Sequence, residues 1–201
     1  MLPIEAPDNQ DNIWSRIYFF GTGRADCMGL GGMNCVRRDQ VEWFKQVSED
    51  IPLDESTRGN GIAFMQHALQ EHMMLVNDYP VRGQKRDYST CQAVNSGLFA
   101  QMVMSGTMQW VSAGGDHSTD FYGKYAGINL SYGRKTGTGS YGPKFSQSGA
   151  RVFELEFDEE PGKVEIETWI RQKDGTIDNQ DEENRPAALS WLRSDHCFGS
   201  E

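Results

Sequence analysis

The sequence predicts an α/β fold in which a sheet of short strands is layered with helices. Three observations carry this. Short apolar runs alternate with segments of helical periodicity, glycine or polar residues follow directly on the strand ends, and two period-two runs late in the chain flank a turn. The 201 residues suffice for one domain with a real core, or for part of a larger one. A hydrophobic share of 37% against 24% charged residues is an ordinary globular balance.

The elements follow in order. IYFF (Ile17–Phe20) before GTG reads as a buried strand ending in a tight turn. RRDQVEWFKQVSED sets Val41, Phe44 and Val47 at helical spacing with charges on the other face. GIAFM (Gly61–Met65) is a second strand, running into QHALQEHMML, and residues 77–90 read as a surface loop. In CQAVNSGLFAQMVMSG, Val94, Leu98 and Met102 form one stripe of a helix closed by Gly106. QWVSA is the third strand, GINLSY (Gly127–Tyr132) the fourth, and RKTGTGSYGPKFSQSG a glycine-dense loop. RVFELEF and KVEIETWI alternate in period two around DEEPG, a hairpin signal. Residues 173–201 are polar and acidic and read as a loosely ordered tail. The chain starts almost directly on a buried strand with nothing ahead of it to pair it, so missing sheet partners are expected and Met1 reads as an internal methionine of a longer protein.

Nineteen Lys and Arg against 29 Asp and Glu give a formal net charge of −10. No basic stripe is present, which argues against nucleic acid as a partner. An anionic ligand would need a local metal or a few cations to hold it against that field. No apolar run approaches the roughly 18 residues that span a bilayer, so no membrane association is expected, and the opening MLPIEAPDNQDN is unlike a secretory signal. The reading is therefore a soluble chain. Cys27, Cys35, Cys91 and Cys197 lack CxxC spacing, which argues against a zinc ribbon. Cys27 and Cys35 flank GLGGM and either pair in an oxidising compartment or remain thiols.

Two strand ends each deliver a histidine: Gln66-His67 after GIAFM, and Asp116-His117 after QWVSA and a glycine pair. Both are aimed at the same sheet edge, where α/β folds place their sites. Imidazole is a metal ligand and a proton carrier near neutral pH, so the pair suits metal ligation or acid–base chemistry. A lone-histidine hydrolase centred on Asp116 and His117 lacks any visible nucleophile elbow or Ser/Cys partner. Asp116 is either an orienter of the imidazole or a turn residue, and Asp120 a capping or turn side chain. Arg134 and Lys135 leave a strand after Tyr132 into a glycine-rich loop, and either meet a substrate phosphate or serve the scaffold. His72 and His196 have no partner signal and read as surface residues.

GGDHSTDFYGKYAGINLSYGRKTGTGSYG, followed by GARVFELE, resembles the C-terminal half of the calcineurin-like metallophosphoesterases, in the branch related to purple acid phosphatases. That branch carries GHDH-x-ND-(F/Y)-G, then YGRKTG-x-G-x-YG and a GARV strand. IYFFGTG is similar to its YFLDSG strand, DQVEWF to its Q-x-W-(F/L) helix, and AFMQHALQE to its AFFHIPLPE segment. The resemblance covers residues 14–172, so residues 1–172 are expected to form a partial domain of this type, with 173–201 as the tail.

The resemblance implies a layered α/β/β/α sandwich with two divalent ions of the Fe, Zn or Mn class at the strand ends. The ions would make hydroxide from a bridging water and clamp phosphate for in-line displacement. The implied substrate is a small phosphoester or a phosphoprotein. Ligands in the family come from D-x-H, G-D, G-N-(H/D), a lone His and G-H-x-H, and only the last two blocks have counterparts here. His117 aligns with the second histidine of G-H-x-H, on the first metal, while Gly115 stands where a second-metal histidine is expected. Gln66 occupies the lone-histidine position, and His67, one place later, could substitute only if the loop shifts register. Both departures fall on the same metal. The resemblance thus implies metal positions at His117, His67 and Gln66, catalytic candidates in Asp116 and His117, and substrate contacts from Arg134 and Lys135. Two functions are compatible with it: the C-terminal part of a phosphate monoester hydrolase, impaired as an isolated chain, or an inactive binding or scaffold protein that has shed a metal site. No compartment is fixed by the sequence, and a secreted or vacuolar parent enzyme is compatible with the resemblance.

Overall fold

The computed structural model describes residues 1–6, 9–51, 58–86, 90–139, 141–142, 147–157 and 164–184. The first strand, β1 (Leu2–Ala6), folds back antiparallel on β2 (Asn9–Phe20), with Leu2 opposite Ile17 and Ile4 opposite Ser15. The expectation that nothing ahead of IYFF pairs it is thereby corrected. Leu2 and Ile4 alternate in period two, enough to build a hairpin against a strand that begins well before Ile17.

Helix α1 (Arg38–Glu49) starts at a box in which Gln40 accepts from the Arg37 main-chain N–H at 2.8 Å, and it buries Phe44 as the stripe predicts. β3 (Gly61–Met65) and α2 (Gln70–Asp78) come next, then β4 (Val81–Arg82) inside the segment expected to be loop. Helix α3 is shorter than its apolar stripe implies and covers Leu98–Ser105. Gly97 sits at φ +80° and its N–H bonds the Asn95 side chain, so Val94 stays outside the helix, while Gly106 closes it at φ +65°.

β5 (Met108–Ala113), β6 (Tyr122–Tyr125) and β7 (Ile128–Tyr132) complete the large sheet with β11 (Glu183–Asn184), in the order β1-β2-β3-β5-β7-β6-β4-β11. β8 (Gly149–Phe157), β9 (Val164–Gln172) and β10 (Ile177–Asp178) form a second sheet in the order β10-β9-β8. The β8–β9 pair is the predicted hairpin, in register from Gly149↔Gln172 to Phe157↔Val164; its turn lies outside the described residues. Residues 173–184, expected to be loose, carry β10 and β11, because Asp178 finds a buried cation and Gln180 the half-buried Arg151; residues 185–201 lie outside the described set.

Alternation along the strands separates two faces. Tyr18, Phe20, Ala63, Met65, Val111, Ala113, Leu130 and Tyr132 meet Phe44, Leu75, Leu98 and Met102 of the helices in one core. The opposite face meets the small sheet: Phe153 packs on Phe64 and Trp110, and Phe157 on Trp14. Each fully buried large side chain contributes roughly 1.5–3 kcal/mol. The architecture is α/β as predicted: helices, a mixed eight-stranded sheet, then a three-stranded sheet. A second helical layer has no counterpart among the described residues.

Candidate functional site

β2, β3, β5 and β7 run parallel, so their C-terminal ends share one edge of the sheet. That edge displays Thr22 and Arg24 after β2, Gln66 and His67 after β3, Gly114–His117 after β5, and Gly133–Lys135 after β7. A cleft of about 430 Å³ lies there, lined by Arg24, Gln66, His67, Gly115, His117 and Tyr141 among others. A neighbouring cleft of about 370 Å³ shares Gly114, Gly115 and His117 and reaches Arg134, Lys135 and Gly137. The fold therefore brings Gln66, His67, Asp116, His117, Arg134 and Lys135 to one place.

Both imidazoles are held by main-chain carbonyls. His117 donates Nδ1–H to Tyr141 O at 2.9 Å and stacks on the Tyr141 ring at 4.3 Å. His67, 8% exposed, donates Nδ1–H to Asn34 O at 3.2 Å, and its main-chain N–H donates to Thr22 Oγ1 at 3.2 Å. A neutral ring held this way carries its lone pair on Nε2, the arrangement common to metal-binding histidines. Gln66 is exposed at the rim.

Gly115 explains the spacing of the two loops. It adopts φ +86°, and a Cβ there would lie 3.0 Å from Gln66 O and 3.8 Å from the His67 ring. A side chain at 115 would thus run directly into residues 66 and 67. The two positions that depart from the family pattern are neighbours in space.

The carboxylates are committed within the scaffold. Asp116 accepts from the Ser118 N–H at 2.9 Å and from Thr119 Oγ1 at 2.8 Å, which closes the turn after β5. Asp120 accepts from the Gln84 N–H at 2.8 Å and from Arg134 Nε at 2.6 Å. Arg134, with a side chain 5% exposed, also bonds Asp178 at 2.8 Å. Beside it Arg151 donates to Asp120 O and to Gln180 Oε1. Burial pulls the Arg151 pKa down to about 10, so the group remains cationic at neutral pH. Lys135 Nζ donates to Tyr141 O at 2.6 Å, the same carbonyl that holds His117. Burial raises the Tyr132 phenol well above its ordinary value, and the Asp116 carboxylate adds to that; its OH donates to Thr90 O at the cleft wall.

A two-metal centre needs several carboxylates and imidazoles converging on two points. Among the described residues no group of three or more His, Cys, Asp or Glu side chains does so. With Asp116 turned into its own loop and Asp120 bound to Arg134, these residues do not fit a dinuclear centre. His72, expected at the surface, is fully buried under β7 with its ring edge-on to Tyr132; His196 lies outside the described residues. Cys27 and Cys35 are joined in a disulfide with Cα atoms 5.3 Å apart, and Cys91 is disulfide-bonded as well; Cys197 lies outside the described residues. No helix is long and apolar enough to cross a membrane among the described residues.

Sequence reasoning missed Thr22, Arg24, Asn34 and Tyr141. The first two sit in the GTGR that ends β2, and the strand-end rule applied to β3 and β5 would have found them. Asn34 and Tyr141 hold the imidazoles through carbonyl oxygens, which no side-chain motif records, and Tyr141 adds its stacked ring.

No protein-family model matches the chain, and no solved structure matches it. It is 26% identical over 180 residues to the probable inactive purple acid phosphatase 29 of Arabidopsis thaliana, covering 82% of this chain and 46% of that protein. Over 185 residues it is 26% identical to the probable inactive purple acid phosphatase 28 of the same plant, covering 89% and 45%. The probable inactive purple acid phosphatase 14, also from that plant, is 25% identical over 151 residues, 69% and 38%. The chain spans less than half the length of each of these relatives. Similarity over most of its length to three proteins so named supports a purple acid phosphatase-related family.

Proposed function

We propose that this chain is a metallophosphoesterase-type segment that has lost the second-metal half of its site and does not hydrolyse phosphate monoesters, its strand-end cleft serving in binding. The carrying observation is the contact between the two altered positions: an absent Cβ at Gly115 points at Gln66 and His67. Loss at two unrelated places would be scatter; loss at two touching places removes one ligand set. The word "inactive" in the names of all three relatives is in keeping with this. Residues 1–172 form the phosphoesterase-type unit in this reading, and 173–201 an extension of it. The disulfide-bonded cysteines favour an oxidising compartment, as expected of a secreted or vacuolar protein.

A second reading retains hydrolysis of a small phosphoester or a phosphoprotein within a longer polypeptide that supplies carboxylates. The observation that favours it is the Nδ1 anchoring of both His67 and His117. Metal analysis and p-nitrophenyl phosphate turnover on this chain test the first reading, and the same assays on a longer polypeptide that supplies the carboxylates test the second. The unaltered chain is expected to bind no stoichiometric divalent ion and to show no turnover. The double variant Gly115→His, Gln66→His is expected to gain zinc or manganese binding by calorimetry, at a stability cost of about 1–2 kcal/mol from a side chain at positive φ and a further cost from moving the Gln66 carbonyl away from the new Cβ. Two tightly held ions and phosphatase turnover in the unaltered chain would overturn the proposal.

A further inference from the structure

The small sheet does not cover its face of the large sheet evenly. Phe153 of β8 packs on Trp110 and Phe64 with ring centroids 5.3 and 5.6 Å apart, and Phe157 packs on Trp14 at 5.0 Å. Among the described residues the cover ends there, because β8 is the last strand in the order β10-β9-β8. Beyond it Phe64 stacks on Phe19 at 5.8 Å, and Phe19 is 56% exposed although β2 has paired strands on both sides. Ile17 lies on the same face two residues earlier, and its register partner Leu2 is also 56% exposed. An apolar strip of Leu2, Ile17, Phe19 and Phe64 thus runs beside β8, whose hydrogen-bonding edge away from β9 has no strand among the described residues.

The outer face of β8 carries the opposite chemistry. Glu154 and Glu156 are exposed there, and Glu154 stands directly opposite Glu167 of β9. Like charges set across a pair destabilise it, and a basic neighbour relieves them. We propose that an extended polypeptide segment of alternating apolar and basic residues adds to β8 as a fourth strand. Its apolar side chains cover Leu2, Ile17, Phe19 and Phe64, and its lysines or arginines lie beside Glu154 and Glu156. A second copy of this chain is the poorer occupant, since β8 paired with β8 gathers the glutamates of both strands on one face. The surface is separate from the strand-end cleft and stands whether or not that cleft binds metal.

The test titrates a dye-labelled nine-residue peptide of alternating valine and lysine into the full 201-residue chain, read by fluorescence anisotropy. Two controls run beside it, one with glutamate for lysine and one with the same composition in a lysine block and a valine block. The alternating basic peptide is expected to bind roughly tenfold or more tightly than either control, with slowed hydrogen exchange at β8 amides. Phe19→Asp is expected to weaken it by a similar factor, as is Glu154→Lys combined with Glu156→Lys, in chains whose circular dichroism and melting match the parent; Leu2→Asp replaces Phe19→Asp if that variant misfolds. Equal binding of the block peptide, no effect of the strip variants, protection outside β8, or a dimer in sedimentation that hides β8 would each overturn the proposal.

Discussion

Neither ring nitrogen of His72 has a hydrogen-bond partner within normal geometry among the described residues, and the side chain is fully buried. Burial lowers its pKa from 6.5 to about 4, with nearby main-chain groups of Ser131, Leu69 and Val111 offsetting only part of that. Between those values the unfolded chain binds a proton that the folded chain refuses. Stability present above pH 6.5 is therefore lost as the pH falls, by roughly 3 kcal/mol at pH 4. Urea midpoints measured across this range are expected to fall more steeply for the parent than for His72→Phe, and identical slopes would refute the assignment. A lone histidine reads as a surface residue, yet His72, Leu75 and Val76 stand at helical spacing and share the buried stripe of α2. That periodicity was the legible signal; the absence of a polar partner was not.

At the level of elements, the joint between the two sheets is ionic as well as aromatic. Arg134 follows β7, Asp120 precedes β6, and Asp178 lies in β10, so one guanidinium ties three elements of two sheets together. Arg134→Met is expected to destabilise the fold by about 3–5 kcal/mol in chemical denaturation, because the buried Asp120 carboxylate loses its ion-pair partner and keeps only the Gln84 N–H bond and the nearby Arg151 charge. Lys135→Met, losing one bond to the Tyr141 carbonyl, should cost about 1 kcal/mol. Equal costs for the two would mean that Arg134 is no joint. The sequence marked both cations alike, as neighbours in a glycine-rich loop. Their difference arises from Asp120 and Asp178, 14 and 44 positions away, and adjacency in the chain carries no trace of it. The β6–β7 hairpin escaped notice for a simpler reason. YGKY is too short to show alternation, and its turn at Ala126–Gly127 uses positive φ at both residues without an Asn or Asp to announce it.

For the molecule as a whole, the Cys27–Cys35 disulfide closes the loop that carries Asn34, and Asn34 holds the His67 ring. The double variant Cys27→Ala, Cys35→Ala is expected to lose about 2–3 kcal/mol by thermal melting. The His67 imidazole signals in NMR should broaden or shift while those of His117 stay in place. An unchanged His67 environment would separate the staple from the site.

The sequence by itself determined the layered α/β class, the hairpin of β8 and β9, and the delivery of Gln66-His67 and Asp116-His117 to one sheet edge. Strand polarity and period-two alternation are local properties, and parallel strands add up to a common edge without further information. Tertiary structure alone decided that Gly115 lies against Gln66, that Arg134 is bound by carboxylates, that His72 is interior, and that Phe19 stays exposed beside a strand edge with no partner among the described residues. Each of these is a contact between segments distant in the chain, set by how layers pack and where a sheet stops, and such contacts leave no periodicity to read.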